Sequence, residues 1–208
     1  TDVALRRLDT LPDGLVLIAM SDAYWTEDRF RVRPLAGGAE ASTVDERARI
    51  LDPLLRDAVL RLRAAGHEVL LLDPIPHMLR GDRYWDGREC GRLQLALHAC
   101  QEERSAADAL DRTEPVRRLH AELATEGLAG RVDPVPVLCP DGRCRTLDGS
   151  TWVYRDGAHL TICLDRPHRL AYVLGEIMEF SGPEAAEGLA ISPALLRRTP
   201  VSNRRSSN

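Results

Sequence analysis

The feature that most constrains the fold is a pair of continuous apolar runs with a helix pattern between them. Residues 15–20 read Leu-Val-Leu-Ile-Ala-Met, and residues 69–72 read Val-Leu-Leu-Leu. Apolar runs without alternation are typical of strands that are buried on both faces, as in a parallel sheet. Thr43 and Glu46 have the spacing of a capping box at the start of the intervening helix, and Gly66 can end that helix. The pattern therefore predicts a β-α-β unit.

A second crossover is expected to follow the first. An Asp-Pro-apolar-Pro sequence comes after the second apolar run at residues 73–76, and it recurs at residues 133–136. The intervening residues 101–126 have a helical pattern, with a break expected near Pro115. Two successive crossovers of this kind predict a right-handed, parallel sheet.

Polar and aromatic residues follow the first apolar run directly, namely Ser21, Asp22, Tyr24 and Trp25. Ligands of open α/β sheets bind at the carboxyl ends of the strands, so these four residues are candidates for lining a site. A cap at the end of the strand is the simpler interpretation of Ser21, and a nucleophile is the alternative.

A turn near the end of the chain carries Asp156 and, three residues later, His159. This spacing can place the carboxylate beside the imidazole, where it fixes the tautomer and stabilises the imidazolium. In sites with a serine nucleophile, a histidine acts as the base and an aspartate orients it in this way. The alternative is an exposed turn with a capping Asp. A helix is expected after the turn, over residues 164–180.

The five cysteines are informative by their placement. Cys139 and Cys144 bracket a Pro-Asp-Gly-Arg turn, and Cys90 and Cys100 bracket a loop within the Arg-rich excursion of residues 78–99. Two short-range disulfides and a lone Cys163 are the preferred interpretation, which implies an oxidising compartment. A zinc site that includes His98 and a set of reduced, buried thiols are the alternatives. The excursion itself is either a tied surface loop or a lid or acceptor-binding loop.

The residues from the cysteine-bracketed turn to Thr161 resemble the C-terminal end of an SGNH domain, of the kind fused behind membrane acyltransferases. The resemblance implies a three-layer, flavodoxin-like α/β fold, a parallel sheet with helices on both faces, in an N-terminally truncated form. Residues 1–180 would be the partial domain and residues 181–208 a flexible tail. Asp156 and His159 match the Asp-x-x-His block of that family, which supplies two members of a Ser-His-Asp triad. The nucleophile of its Gly-Asp-Ser block would lie upstream of Thr1, because here only Asp148-Gly149-Ser150 has these residues, in another order.

The function implied by this resemblance is transfer of an acyl group, expected to be acetyl, to a hydroxyl of a cell-surface polysaccharide. A fused or neighbouring membrane acyltransferase domain would be the partner that delivers the acyl group, and the location would be extracytoplasmic, within a membrane protein. Tyr154, Arg155, Trp25 and Ser21 are the expected substrate-binding residues. A secreted SGNH esterase and a non-catalytic domain that binds a glycan or a protein are the alternatives.

Composition excludes several other classes of protein. A net charge of -4 disfavours a nucleic-acid partner. No apolar run approaches the length of a membrane span, and no signal peptide is recognisable. We expect no cofactor, because no phosphate-binding glycine loop follows a strand, and no metal, because the ligand spacing is unsuitable. His120 lies among charged residues and is expected at the surface, as is His168.

Overall fold

The computed structural model describes residues 2–8, 10–97, 99–149 and 151–160. The helices are Asp2–Leu8 (α1), Ala23–Thr26 (α2), Val44–Ala64 (α3), Arg92–Ala96 (α4), Ala106–Leu110 (α5), Glu114–Thr125 (α6) and Val135–Leu138 (α7), with 3-10 turns at Gly87–Glu89 and Asp111–Thr113. The strands are Leu15–Ala19 (β1), Glu68–Leu72 (β2), Leu79–Arg80 (β3), Arg83–Tyr84 (β4), Glu103–Ser105 (β5), Gly130–Val132 (β6), Arg143–Arg145 (β7), Leu147–Asp148 (β8), Thr151–Trp152 (β9), Tyr154–Asp156 (β10) and His159–Leu160 (β11).

The predicted parallel sheet is present. Strand β2 lies at its centre and pairs in parallel with β1 on one side and with β6 on the other. Leu17 of β1 lies opposite Leu70, and Arg131 of β6 lies opposite Leu71. The carboxyl ends of the three strands therefore meet at one edge of the sheet, and the fold class is α/β as predicted.

Helix α3 begins with the predicted capping box. Thr43 Oγ1 accepts from the amide of Glu46, and the Glu46 carboxylate accepts from the amide of Thr43. Gly66 follows the helix at a φ of 91°, a left-handed conformation that favours glycine at a helix end. The interactions that start and stop α3 are thus local and readable from the sequence.

The main core lies between one face of the sheet and helices α3 and α6. Its buried members are Trp25, Leu55, Val59, Leu62, Val69, Leu71, Val116, Leu119, Leu123 and Ala129. Leu70 and Val132 are buried on the opposite face of the sheet. Among the described residues, the apolar cluster on that face is made of strand residues alone. Strand β1 differs from its prediction as a strand buried on both faces, because in the described part of the chain it is an edge strand and Leu17 is 43% exposed.

A second cluster, here called the disulfide cluster, packs around both predicted disulfides. Its buried members are Met78, Trp85, Cys90, Cys100, Ala109, Leu138, Cys139, Cys144 and Tyr154. The bonds join Cys90 to Cys100 and Cys139 to Cys144. The Trp85 indole donates to the carbonyl of Cys100 at 2.8 Å, so the excursion of residues 78–99 is anchored to this cluster. That excursion contains the β3–β4 hairpin and α4, which is more regular structure than the sequence predicts.

Residues 101–126 do not form one helix. They form strand β5, helix α5, a 3-10 turn and helix α6, and α6 begins at Glu114, close to the predicted break at Pro115. Strand β5 pairs with β7 in antiparallel fashion, with Arg104 opposite Cys144. A tertiary pairing with a strand about 40 residues away therefore overrides the local helical pattern.

The prediction that His120 lies at the surface is wrong. His120 is fully buried, and its Nδ1 lies 3.0 Å from Oδ1 of the buried Asp73 at the end of β2. Arg117 and Arg131 also bind the Asp73 carboxylate, at 2.9 and 2.5 Å. Burial raises the pKa of Asp73, but these hydrogen bonds and positive charges outweigh it and hold the pKa below its usual value.

Several predictions fall on residues outside the described part of the chain. They concern the helix over residues 164–180, the tail over residues 181–208, and His98, Ser150, Cys163 and His168.

Candidate active site

The candidate site is built around the hairpin of β10 and β11, which holds Asp156 and His159 in contact. The Nδ1 atom of His159 lies 2.7 Å from Oδ1 of Asp156. Because an ionised carboxylate only accepts hydrogen bonds, Nδ1 carries the proton in this contact. The amide of Ala158 donates to the same Oδ1 at 3.2 Å, which stabilises the turn as an Asx-type turn.

The electrostatics of the turn keep Asp156 ionised. Partial burial alone would raise the pKa of this carboxyl group. The hydrogen bonds from His159, Ala158 and Arg155 have the opposite effect and together hold the pKa of Asp156 below its usual value. The carboxylate is therefore available to stabilise a positive charge on His159.

The exposure of the two side chains suits a base and its orienting group. The His159 side chain is 64% exposed, whereas that of Asp156 is 19% exposed. With the proton on Nδ1, the Nε2 atom of an exposed ring presents a lone pair. Such a ring can take a proton from a nucleophile and return it to a leaving group.

The turn is fixed to the excursion through the peptide groups of Gly157. The carbonyl of Gly157 accepts from the amide of Met78 at 2.8 Å, and its amide donates to the carbonyl of Trp85 at 2.5 Å. A Cβ atom at position 157 would lie 2.1 Å from the Met78 carbonyl oxygen, so only glycine allows this approach. Asp156 also forms a β-bridge with Asp86.

Two of the predicted substrate-binding residues are exposed near the carboxyl ends of strands. Arg155 lies beside the dyad and extends its Nε to 3.3 Å from Asp156 Oδ2. Ser21 follows β1, and its Oγ accepts from the amide of Ala23 at 3.3 Å, which is the geometry of a serine turn directly before Asp22, the N-cap of α2. No hydrogen bond joins Ser21 to the His159 turn within the described residues.

The other two predicted substrate-binding residues are buried and do not fit that role. Trp25 is 3% exposed, packs in the main core and donates through its indole to Asp52 Oδ1 at 2.7 Å. Tyr154 is 1% exposed, and its hydroxyl donates to the Pro76 carbonyl at 3.0 Å. Both are corrected here to packing and positioning residues, because the Trp25 side chain is buried in the main core and the Tyr154 side chain in the disulfide cluster.

An aromatic pair of the exposed Tyr24 and the half-buried Phe30 lies on the segment that follows β1. The rings of Tyr24 and Phe30 are 4.7 Å apart, and the Arg29 guanidinium lies 5.0 Å from the centre of the Phe30 ring. Tyr24 is 49% exposed, so helix α2 directs Trp25 inward and Tyr24 outward.

His77 is a buried polar residue at the carboxyl ends of β1 and β2, and it is not among the residues that the sequence predicts for the site. His77 lies against Asp22 and Tyr84, and Tyr84 donates to Glu27. Burial and the neighbouring Glu27 raise the pKa of Tyr84 to about 12. The position of His77 after a strand was a usable signal, by the same rule that singled out Ser21 and Asp22, whereas nothing in the sequence marks Tyr84.

The described residues contain no group of three or more His, Cys, Asp or Glu side chains placed to hold a metal ion. None of the helices in the described part of the chain has the length and apolar character needed to cross a membrane.

Comparison with protein families gives a match that covers most of the chain. The family described as "SGNH domain (fused to AT3 domains)" matches residues 2–163. Comparisons with curated proteins and with solved structures gave no match.

Proposed function

The chain belongs to the family of SGNH domains that are fused to AT3 domains, and we propose that it provides the base half of an acyl-transfer site that acts on a cell-surface polysaccharide. The chemistry of the SGNH domain is of the hydrolase or acyl-transfer kind. The observation that carries the proposal is the 2.7 Å contact between the exposed His159 and the ionised Asp156.

The proposed reaction proceeds through an acyl-serine, whose serine would lie upstream of Thr1. His159 Nε2 takes the proton of the serine hydroxyl as the serine oxygen attacks the acyl carbonyl of the donor. The bond to the donor's leaving group breaks, and that group takes the proton from His159. His159 then takes a proton from a sugar hydroxyl, which attacks the acyl-serine and releases the serine with the proton.

Asp156 has the orienting role in both halves of this reaction. Its carboxylate keeps the proton of neutral His159 on Nδ1, so that Nε2 faces the nucleophile. When the ring becomes an imidazolium, the same carboxylate stabilises the charge without itself taking the proton. The lowered pKa of Asp156 suits this role, because an ionised carboxylate can only accept the Nδ1 proton and offers none of its own.

The partner that we propose as acyl donor is a fused or neighbouring membrane acyltransferase domain, which accords with the family's fusion to AT3 domains. An extracytoplasmic position supplies the oxidising conditions that both disulfides need. Arg155 is exposed beside the dyad, and Ser21 and Tyr24 are exposed after β1; we propose these three residues as contacts of the sugar acceptor.

The proposal is tested in the intact protein by counting ester-linked acyl groups on the surface polysaccharide after mild alkaline release. We expect His159→Ala to abolish acylation and Asp156→Asn to lower its rate by about 10²–10⁴-fold. Asp57→Asn, at an exposed position of α3, is the matched control and should leave acylation unchanged.

Two other results would contradict the proposed transfer. Unchanged acylation in His159→Ala removes the histidine from the reaction and favours a binding domain. Release of the acyl group to water, with no acylated polysaccharide, would assign the site to an esterase.

A further inference from the structure

Three consecutive residues after β2 form a backbone support for the His159 hairpin. The carbonyl of Pro76 accepts from the hydroxyl of Tyr154, which lies in β10. The amide of His77 donates to the carbonyl of Ala109 at 2.7 Å, and the amide of Met78 donates to Gly157. The hairpin is thus hydrogen-bonded at two points to residues on either side of His77.

The side chain of His77 links this support to the carboxyl end of β1. It is 3% exposed, and its Nε2 lies 3.3 Å from Oδ1 of Asp22, which is itself 5% exposed. Its Nδ1 lies 3.3 Å from the hydroxyl oxygen of Tyr84. Both ring nitrogens therefore face an oxygen atom of the protein, and the ring has little access to a substrate.

Tyr84 extends the same network to the second anchor of the turn. Its hydroxyl donates to Glu27 Oε1 at 2.8 Å, and the next residue, Trp85, accepts from the amide of Gly157. Gly157 has two backbone partners, Met78 and Trp85. Met78 directly follows His77 and Trp85 directly follows Tyr84, so each partner is adjacent in sequence to a residue of this side-chain network.

The charges around the network make it costly to disturb. Asp22 and Glu27 contribute carboxylates; Arg29 pairs with Glu27, and Arg112 lies 5.5 Å from the centre of the Tyr84 ring. Removing one buried partner leaves the others without their hydrogen bonds, which costs more than the bond itself contributes.

We propose that His77 is a positioning residue, which sets the place of the Asp156–His159 hairpin relative to the carboxyl ends of β1 and β2. Its catalytic meaning rests on the proposed function, in which His159 must reach the hydroxyl of a serine nucleophile. An error of about 1 Å in such a placement can lower a rate about 10²-fold.

The test is backbone amide hydrogen exchange, measured by NMR at Met78 and Gly157 in the 208-residue chain. The variants are His77→Gln and Tyr84→Phe, and amides of β2 report global unfolding in each. His120→Gln is the matched control, since it breaks the other buried Asp–His pair, at Asp73, without touching the support.

We expect exchange at Met78 and Gly157 to become about tenfold faster or more in His77→Gln, relative to the amides of β2. Tyr84→Phe should give the same pattern to a smaller degree, and it serves alone if His77→Gln does not fold. In the control, His120→Gln, exchange at Met78 and Gly157 should become faster only by the same factor as exchange at the amides of β2, since both then report the loss of global stability.

Equal protection of Met78 and Gly157 in the wild type and in both folded variants would overturn the proposal. The readout needs no enzymatic activity, so its failure is distinguishable from a failure of the proposed reaction. In the intact protein, His77→Gln should lower kcat for acyl transfer with little change in KM, whereas loss of a substrate contact would raise KM.

Discussion

At the scale of single residues, the site depends on a contact that the local chain makes by itself. Asp156 and His159 are three residues apart in a tight hairpin, so their approach needs no distant element. The orientation of that hairpin is a different matter, because it depends on the close packing of Gly157 against Met78 and Trp85. Local sequence therefore accounts for the dyad but not for the direction in which the dyad faces.

Gly157→Ala should disturb the orientation of the hairpin while leaving the local contact between Asp156 and His159 possible. The new methyl group would overlap the Met78 carbonyl, so we expect unfolding to become easier by about 1–3 kcal/mol and acyl transfer to fall sharply. Urea unfolding and the polysaccharide assay measure the two effects. Gly14→Ala is the control, since its nearest neighbour would lie 3.9 Å away. Wild-type stability and activity in Gly157→Ala would contradict the proposed close packing.

At the scale of secondary structure elements, one buried carboxylate joins β2, β6 and α6. Asp73 directly follows β2, Arg131 lies in β6, and Arg117 and His120 lie in α6. His120 belongs to the buried face of α6 with Val116, Leu119 and Leu123, at spacings of one helical turn. Its burial could have been read from that spacing, but its charged neighbours gave the opposite indication.

Asp73→Asn should destabilise the protein in a pH-dependent way. The substitution takes the charged carboxylate away from Arg131, Arg117 and His120, and because breaking a buried ion pair is costly we expect a loss of about 3 kcal/mol at pH 7. The native pKa of Asp73 lies below the value of about 3.9 that the unfolded chain has. Its stabilisation is therefore fully present above that value and is lost as the pH falls through the lower, native pKa.

Urea unfolding at pH 7 and at successive pH values below 4 checks this prediction. The difference between wild type and Asp73→Asn should shrink as the pH falls, while Asp57→Asn, at an exposed position, should follow the wild type throughout. A constant difference across this range would show that the charge of Asp73 is not the cause.

At the scale of the whole molecule, the described sheet has an exposed edge at β1. Strand β1 pairs with β2 on one side, and Leu17 is 43% exposed. An edge strand with an exposed apolar side chain is a template for pairing with another chain.

Leu17→Lys should therefore reduce self-association of the 208-residue chain, since a charge at an edge opposes strand pairing. Light scattering over a range of protein concentrations measures the effect. Leu60→Lys is the control, because Leu60 is 45% exposed but lies on helix α3 rather than on a sheet edge. Equal self-association of wild type and Leu17→Lys would exclude the β1 edge as the point of contact.

The sequence by itself determined those features that form between residues close together along the chain or that follow from a regular apolar pattern. It predicted the parallel β-α-β units from their apolar runs, the capping box of α3, both short-range disulfides and the Asp156–His159 pair. Each of these forms between residues that are close along the chain or follows from a simple period, so local physics suffices.

Only the tertiary structure decided which side chains are buried and what holds the hairpin in place. Trp25, Tyr154 and His120 proved to be buried, and residues 103–105 form a strand because β7 lies beside them. The support at Pro76, His77 and Met78 joins segments about 80 residues apart. Contacts of that separation depend on how the two clusters pack, and no local pattern specifies them.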